Sequence, residues 1–174
     1  MKFIKTKIPD VILIKPTIFD DDRGLFTEIY QIKKFEEGGI TSEFVQDNYV
    51  KSVKNTLRGM HYQYKFPQAK LLRCTKGRVF DVAIDIRENS PYYKQWVGKE
   101  LTEENMYQLY IPEGFAHGYY VISDEAEVTY KCSNLYYPQY EKIIRWDDPS
   151  IKIDWPSDSP LLSKKDSEAN CILI

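Results

Sequence analysis

Long hydrophobic runs are missing from this chain: its longest aliphatic stretches, such as Val11-Ile12-Leu13-Ile14, are far too short to cross a bilayer. Met1-Lys2-Phe3-Ile4-Lys5 opens no apolar segment, so no secretory signal is expected. Cysteine is scarce as well. Cys74, Cys132 and Cys171 make an odd three with no C-x-x-C pair, so a disulfide framework is not expected and a reducing, cytoplasmic compartment fits best. No surplus of one charge sign exists: 24 Lys plus Arg against 26 Asp plus Glu give −2 at pH 7. That balance removes the broad attraction on which non-specific nucleic-acid binding depends. Neither nucleic acid nor a membrane is an expected partner, and an anionic ligand would need a local cluster of cations. Histidine is the scarcest useful residue, with two in the chain, so imidazole chemistry has two candidates. The G-x-G-x-x-G fingerprint is absent, so a nicotinamide cofactor is not expected.

What the chain does have is a globular composition, 43% apolar and 29% charged, enough over 174 residues for one domain with a real core. No repeat or low-complexity linker divides it, so residues 1–174 are read as one domain. Strand signals dominate. Val79 to Ile86 alternates, with Phe80, Val82, Ile84 and Ile86 on one face and Asp81, Ala83 and Asp85 on the other. Ala126 to Cys132 repeats the pattern and puts Val128, Tyr130 and Cys132 on what should be the inner face. Leu71-Leu72-Arg73-Cys74 leads through Lys76-Gly77 into the Val79 strand and predicts a hairpin turning at the glycine. Leu25–Gln31, Phe44–Val50, Gln95–Leu101 and Met106–Ile111 are further strand candidates. Ile32–Glu37, stopped by Gly38-Gly39, is the best helix, and Glu103-Glu104-Asn105 reads as a turn. Many short strands with frequent turns predict an all-β sandwich or barrel. The Asp- and Pro-rich segment after Trp146 is expected to wrap the outside.

The two histidines sit in Leu57-Arg58-Gly59-Met60-His61-Tyr62-Gln63 and Ile111-Pro112-Glu113-Gly114-Phe115-Ala116-His117-Gly118. The second has P-x-G-x-x-H spacing, which resembles the turn that aims a His into the mouth of a cupin, a small double-stranded β-helix barrel. Taken alone, His117 fits a hydrogen-bonded structural residue better. A metal site wants three or four His and carboxylate ligands. His61 is followed by Tyr62 and Gln63, so no metal is expected. The run Asp20-Asp21-Asp22-Arg23-Gly24 fails as a calcium loop, because Gly24 comes one residue early and Arg23 interrupts the ligands. Two neutral imidazoles without metal suggest proton transfer instead. A carboxylate would be needed to fix one tautomer, and a second group on the opposite face to return a proton; the strand phase of Tyr130 makes it a candidate.

In order along the chain, Phe19-Asp20-Asp21-Asp22-Arg23-Gly24-Leu25-Phe26-Thr27-Glu28, Gln46-Asp47-Asn48 and the His61 heptapeptide come first. Gln68-Ala69-Lys70-Leu71-Leu72-Arg73, Gly77-Arg78-Val79-Phe80-Asp81-Val82-Ala83-Ile84-Asp85-Ile86-Arg87 and the His117 segment follow. Tyr130-Lys131 to Tyr136-Tyr137-Pro138 and Leu162-Ser163-Lys164-Lys165-Asp166 close the set. This ordered set resembles the dTDP-4-dehydrorhamnose 3,5-epimerase family from about Phe19 to Asp166. The resemblance implies a homodimeric, cofactor-independent cupin-type jelly roll acting on a nucleotide-linked 4-keto-6-deoxy sugar. It implies His61 as base, Asp166 as its dyad carboxylate, Tyr130 as proton donor, and Lys70 near the keto oxygen. It makes His117 a further substrate contact. Arg23, Glu28, Gln46, Asn48, Arg58 and Glu141 would hold nucleotide, diphosphate or sugar, and Tyr136 would stack on the thymine.

Asp147 stands where many relatives have Asn, and Lys65-Phe66-Pro67 falls in a variable loop expected to border the sugar pocket. Three other readings stay open: an epimerase acting at C3 only or on another nucleotide sugar, a non-catalytic sugar-nucleotide-binding cupin, and a metal-dependent oxygenase. The final Cys171-Ile172-Leu173-Ile174 has the outline of a prenylation box. Ser163–Glu168 before it is not polybasic, and one lipid anchors only marginally, so a frayed or packed apolar end is expected.

Overall fold

Two antiparallel sheets carry the chain in a computed structural model that describes residues 1–172; Leu173 and Ile174, the end of the apolar C-terminal tetrapeptide, lie outside the described residues. The six-stranded sheet runs β1 (Lys2–Lys5), β2 (Ile12–Lys15), β10 (Gln108–Ile111), β7 (Lys70–Lys76), β12 (Glu125–Cys132), β5 (Gln46–Val53). The five-stranded sheet runs β13 (Glu141–Ile143), β6 (Leu57–Gln63), β11 (Phe115–Val121), β8 (Arg78–Asp85), β9 (Trp96–Thr102). A separate hairpin pairs β3 (Ile18–Asp21) with β4 (Gly24–Thr27). This is the all-β sandwich the strand pattern predicts. Among the described residues no helix is long and apolar enough to cross a membrane.

The alternation in β8 has a specific consequence. Val79 and Ala83 join Leu72, Leu109, Val121 and Val128 in the core between the sheets. The other phase, Phe80, Val82, Ile84 and Ile86, faces outward but is covered by Ile144, Ile151, Ile153 and Trp155. The segment after Trp146 does wrap the outside, and it does so because β8 offers apolar residues on both faces. Each aliphatic side chain so buried stabilises the fold by up to about 1.5–3 kcal/mol.

Two expectations are corrected. The Gly77 turn does not make a hairpin: β7 pairs with β10 and β12, whereas β8 pairs with β11 and β9. Gly77, at φ +75°, is instead the corner where the chain changes sheets. A Cβ there would lie 2.2 Å from the Glu125 carbonyl oxygen, so only glycine fits this close crossing. The Leu25–Gln31 strand stops at Thr27, because Gln31 turns to cap helix α1 (Ile32–Glu37), its side chain accepting from Lys34 N at 2.7 Å. The helix itself spans the predicted residues and buries Phe35 between Phe3 and Tyr30.

Candidate active site

One end of the sandwich is open, with a cavity of about 280 Å³ between the sheets. Strand register fills it. His61 and His117 are Cα partners on β6 and β11, and directly opposed residues project to the same face, so both imidazoles enter the cavity. The β6–β11 pairing slips just beyond His117. There Gly59, at φ +136°, lies so close to Gly118 that a Cβ on it would come within 2.5 Å of the Gly118 Cα. The other wall is the six-stranded sheet. Tyr130 and Cys132 come from β12, Lys70 from β7, and Asn48 and Gln46 from β5.

The base candidate has its partner. His61 Nε2 lies 2.6 Å from Asp166 Oδ1. Asp166 sits in a short C-terminal helix, α2 (Lys164–Ser167), capped by Ser163. The Ser163 hydroxyl donates to Asp166 Oδ2 at 2.7 Å, so both carboxylate oxygens are engaged. Burial opposes ionisation of Asp166, but the hydrogen bonds from His61 and Ser163 outweigh it and hold the carboxyl below the usual range. With Nε2–H donated to the carboxylate, Nδ1 carries the free lone pair on His61.

Lys70 and Tyr130 complete the chemistry. Burial pulls the Lys70 ammonium below the usual lysine range, with nearby anionic groups working against it. Burial pushes the Tyr130 phenol up to about 12, so it holds its proton at neutral pH. A second dyad lies deeper: His117 Nε2 is 2.6 Å from Asp81 Oδ1, and both residues are buried. Burial lowers His117 although Asp81 favours its charged form.

The remaining substrate-binding expectations divide. Gln46, Asn48, Arg58, His117, Tyr136 and Glu141 line the cavity. Gln46 Nε2 donates to Asn48 Oδ1 at 3.0 Å, and its Oε1 accepts from Tyr136 N at 3.0 Å, which fixes the loop carrying Tyr136. Arg23 and Glu28 do not line the cavity of their own chain. Arg23 is 89% exposed at the β3–β4 turn and pairs with Asp21, and Glu28 pairs with Lys34. The hairpin carrying Arg23 forms a sheet of its own, outside the two that form the cavity. Lys65, Phe66 and Pro67 do not line this cavity either; Phe66 packs in tilted contacts against Tyr137 and Tyr140 outside it. Asp147 pairs with Arg145 on the exterior.

Sequence reasoning missed Lys165, Tyr119 and Asp81, and gave Cys132, though placed on the inner face, no role at the site. Lys165 neighbours Asp166 and reaches the cavity rim. Asp81 shares the inward phase of Val79 and Ala83, and a carboxylate in that phase was the available signal.

Comparison with known proteins points to one family. A family model described as dTDP-4-dehydrorhamnose 3,5-epimerase matches residues 5–172. The chain is 55% identical over 168 residues to the dTDP-4-dehydrorhamnose 3,5-epimerase of Shigella flexneri, covering 95% of this chain and 93% of that protein. Its structure is similar to that of the Legionella pneumophila dTDP-6-deoxy-D-glucose-3,5-epimerase in complex with dTDP-4-keto-L-rhamnose. That pair has a TM-score of 0.95 and 48% identity, with 98% and 92% of the two chains covered. It is similar also to the Bacillus anthracis dTDP-4-dehydrorhamnose 3,5-epimerase with TDP and PPi bound, with a TM-score of 0.95, 40% identity, and 98% and 99% covered.

Proposed function

The chain belongs to the dTDP-4-dehydrorhamnose 3,5-epimerase family, and from that premise we propose how its residues invert C3 and C5 of dTDP-4-dehydro-6-deoxy-D-glucose to give dTDP-4-dehydro-L-rhamnose. The observation that carries the proposal is an imidazole on one wall of a cavity, tethered to a carboxylate, with a phenol and an ammonium on the other wall.

The C4 ketone acidifies the hydrogens on C3 and C5. His61 Nδ1 removes one, and the electron pair moves to the C4 oxygen as an enolate. Lys70 stabilises that charge, more strongly in a partly desolvated cavity than in water. Tyr130 protonates the carbon from the far side, which inverts it. Asp166 holds the tautomer and stabilises the imidazolium. Each placed acid or base contributes roughly 10²–10⁴-fold in rate. Arg58 supplies a planar fork for phosphate oxygens. Tyr136, 47% exposed at the rim, offers a face for a flat base.

Residues 1–174 act as one epimerase domain, a reading supported by a family match that spans nearly all of them. They act as a homodimer. Phe19, Leu25 and Phe26 are 61%, 53% and 68% exposed on the β3–β4 hairpin, and a lone two-stranded hairpin is marginal in water. A second copy that covers this hairpin would bring Arg23 and Glu28 to the neighbour's cavity. Phe26→Asp should then convert the dimer to monomer in sedimentation and weaken nucleotide binding. The free thiols of Cys74, Cys132 and Cys171 support a cytoplasmic location.

NMR of dTDP-4-keto-6-deoxyglucose with the protein in deuterated water tests the reaction. Deuterium at both C3 and C5 with inversion is the expected result. Label at C3 alone would make it a C3-only epimerase, and binding without exchange would make it a binding protein.

A further inference from the structure

Inverting two carbons with one base and one acid poses a proton problem that one inversion does not. Each event leaves His61 protonated and Tyr130 ionised. Before the second carbon can react, the imidazolium must lose a proton and the phenolate must gain one. If the sugar stays bound, this happens around it.

The Asp166 side of His61 offers no exit. Asp166 is 3% exposed, and both its oxygens are already engaged. The other nitrogen, Nδ1, receives the substrate proton, and Glu141 Oε1 lies 3.9 Å from it. Glu141 opens β13, the edge strand of its sheet, at the cavity rim. Its Oε2 faces Lys165 and accepts from the Tyr136 hydroxyl at 3.3 Å. Lys165 and Tyr136 are both about half exposed, so this carboxylate joins the partly buried base to water.

We infer that Glu141 takes the abstracted proton from His61 Nδ1 and passes it to solvent, resetting the base for the second carbon before the sugar leaves. The inference rests on the epimerase reading above. The Nδ1–H bond breaks and an Oε1–H bond forms; that bond breaks in turn as water takes the proton. A solvent proton restores the Tyr130 phenol, so protons balance over the cycle and nothing is oxidised or reduced. The 3.9 Å gap is closed by a side-chain rotation or spanned by one water.

The test is the product ratio of Glu141→Gln, measured by rapid quench and NMR in deuterated water. The wild type must first invert both carbons; if it does not, the epimerase reading fails independently of this one. In the variant, label still enters one carbon, and the ratio of doubly to singly inverted sugar released per encounter falls about tenfold or more. In Glu141→Ala, added formate restores the ratio, because a small carboxylate fills the vacated place. An unchanged ratio, with or without a raised KM, overturns the inference and leaves Glu141 as a substrate contact. Loss of both inversions together at saturating substrate also overturns it, as does failure of formate to restore the ratio.

Discussion

Asp166 Oδ1 stands 2.6 Å from His61 Nε2 although 105 positions separate the two residues. The base and the group that sets its tautomer therefore come from segments far apart in the chain. Asp166→Asn should lower kcat about 10²–10⁴-fold, with KM changing far less. A drop of only a few fold would remove Asp166 from the mechanism.

The same contact has a signature in acid. The Asp166 carboxyl lies below its usual range in the folded protein. Its ionisation therefore stabilises the fold above the unfolded carboxylate pKa of about 3.9, and that contribution is lost as pH falls through the lower folded value. Between pH 5 and pH 3 the wild type should lose more Tm than Asp166→Asn does, as thermal melts across that window would show. Parallel curves for the two proteins would contradict the shift.

Tyr130→Phe should separate exchange from inversion. The variant retains the base, so deuterium can still enter on the face of abstraction, whereas protonation from the far side is lost. Inverted product should fall about 10²–10⁴-fold while washed-in label falls less. Because burial pushes the phenol up to about 12, it should not cause any loss of kcat/KM below about pH 11. An alkaline limb below pH 11 that disappears in Tyr130→Phe would refute this assignment.

Lys70→Met removes the cation expected at the enolate oxygen, and kcat should fall on the order of 10²–10³-fold. Burial holds the Lys70 ammonium below the usual lysine range, near 10.4. The alkaline limb of kcat/KM should therefore lie below that value in the wild type. It should be absent from the residual activity of Lys70→Met, since the deprotonating group is gone.

Gly59→Ala tests the close strand crossing beside both histidines. The new Cβ would meet the Gly118 Cα at 2.5 Å and the His117 carbonyl oxygen at 2.9 Å, both backbone atoms, at φ +136°. Steric overlap and left-handed strain each cost about 1–3 kcal/mol, which lowers Tm on the order of 5 °C or more for a domain of this size. A melting curve matching the wild type would show that the strands can part there without loss.

How much was legible in the sequence follows from what each residue depends on. The inner phase of Tyr130 could be read because strand alternation is local, and Ile32–Glu37 because the paired glycines after it end the helix. The Gly77 turn was misread because a two-residue hairpin and a sheet-changing corner use the same glycine chemistry; only long-range pairing distinguishes them. The position of Asp166 came from family resemblance. Its own local sign, Ser163 three residues ahead as helix cap, says that the carboxylate starts a helix but not which histidine it meets. The displacement of Arg23 and Glu28 from the cavity was invisible, because nothing in one chain's pattern reveals where a projecting hairpin finds its cover.

The carboxyl-terminal origin of the helix that carries Asp166 has a consequence for biosynthesis. Chains emerge from the ribosome amino end first and fold as they appear. The strands bearing His61, Lys70, His117 and Tyr130 all precede Asp166, so every other named group is synthesised before the carboxylate that orients the base. A chain interrupted just before Ser163 would hold every other named group yet lack the carboxylate that sets the His61 tautomer, and its turnover should fall at least as far as that of Asp166→Asn.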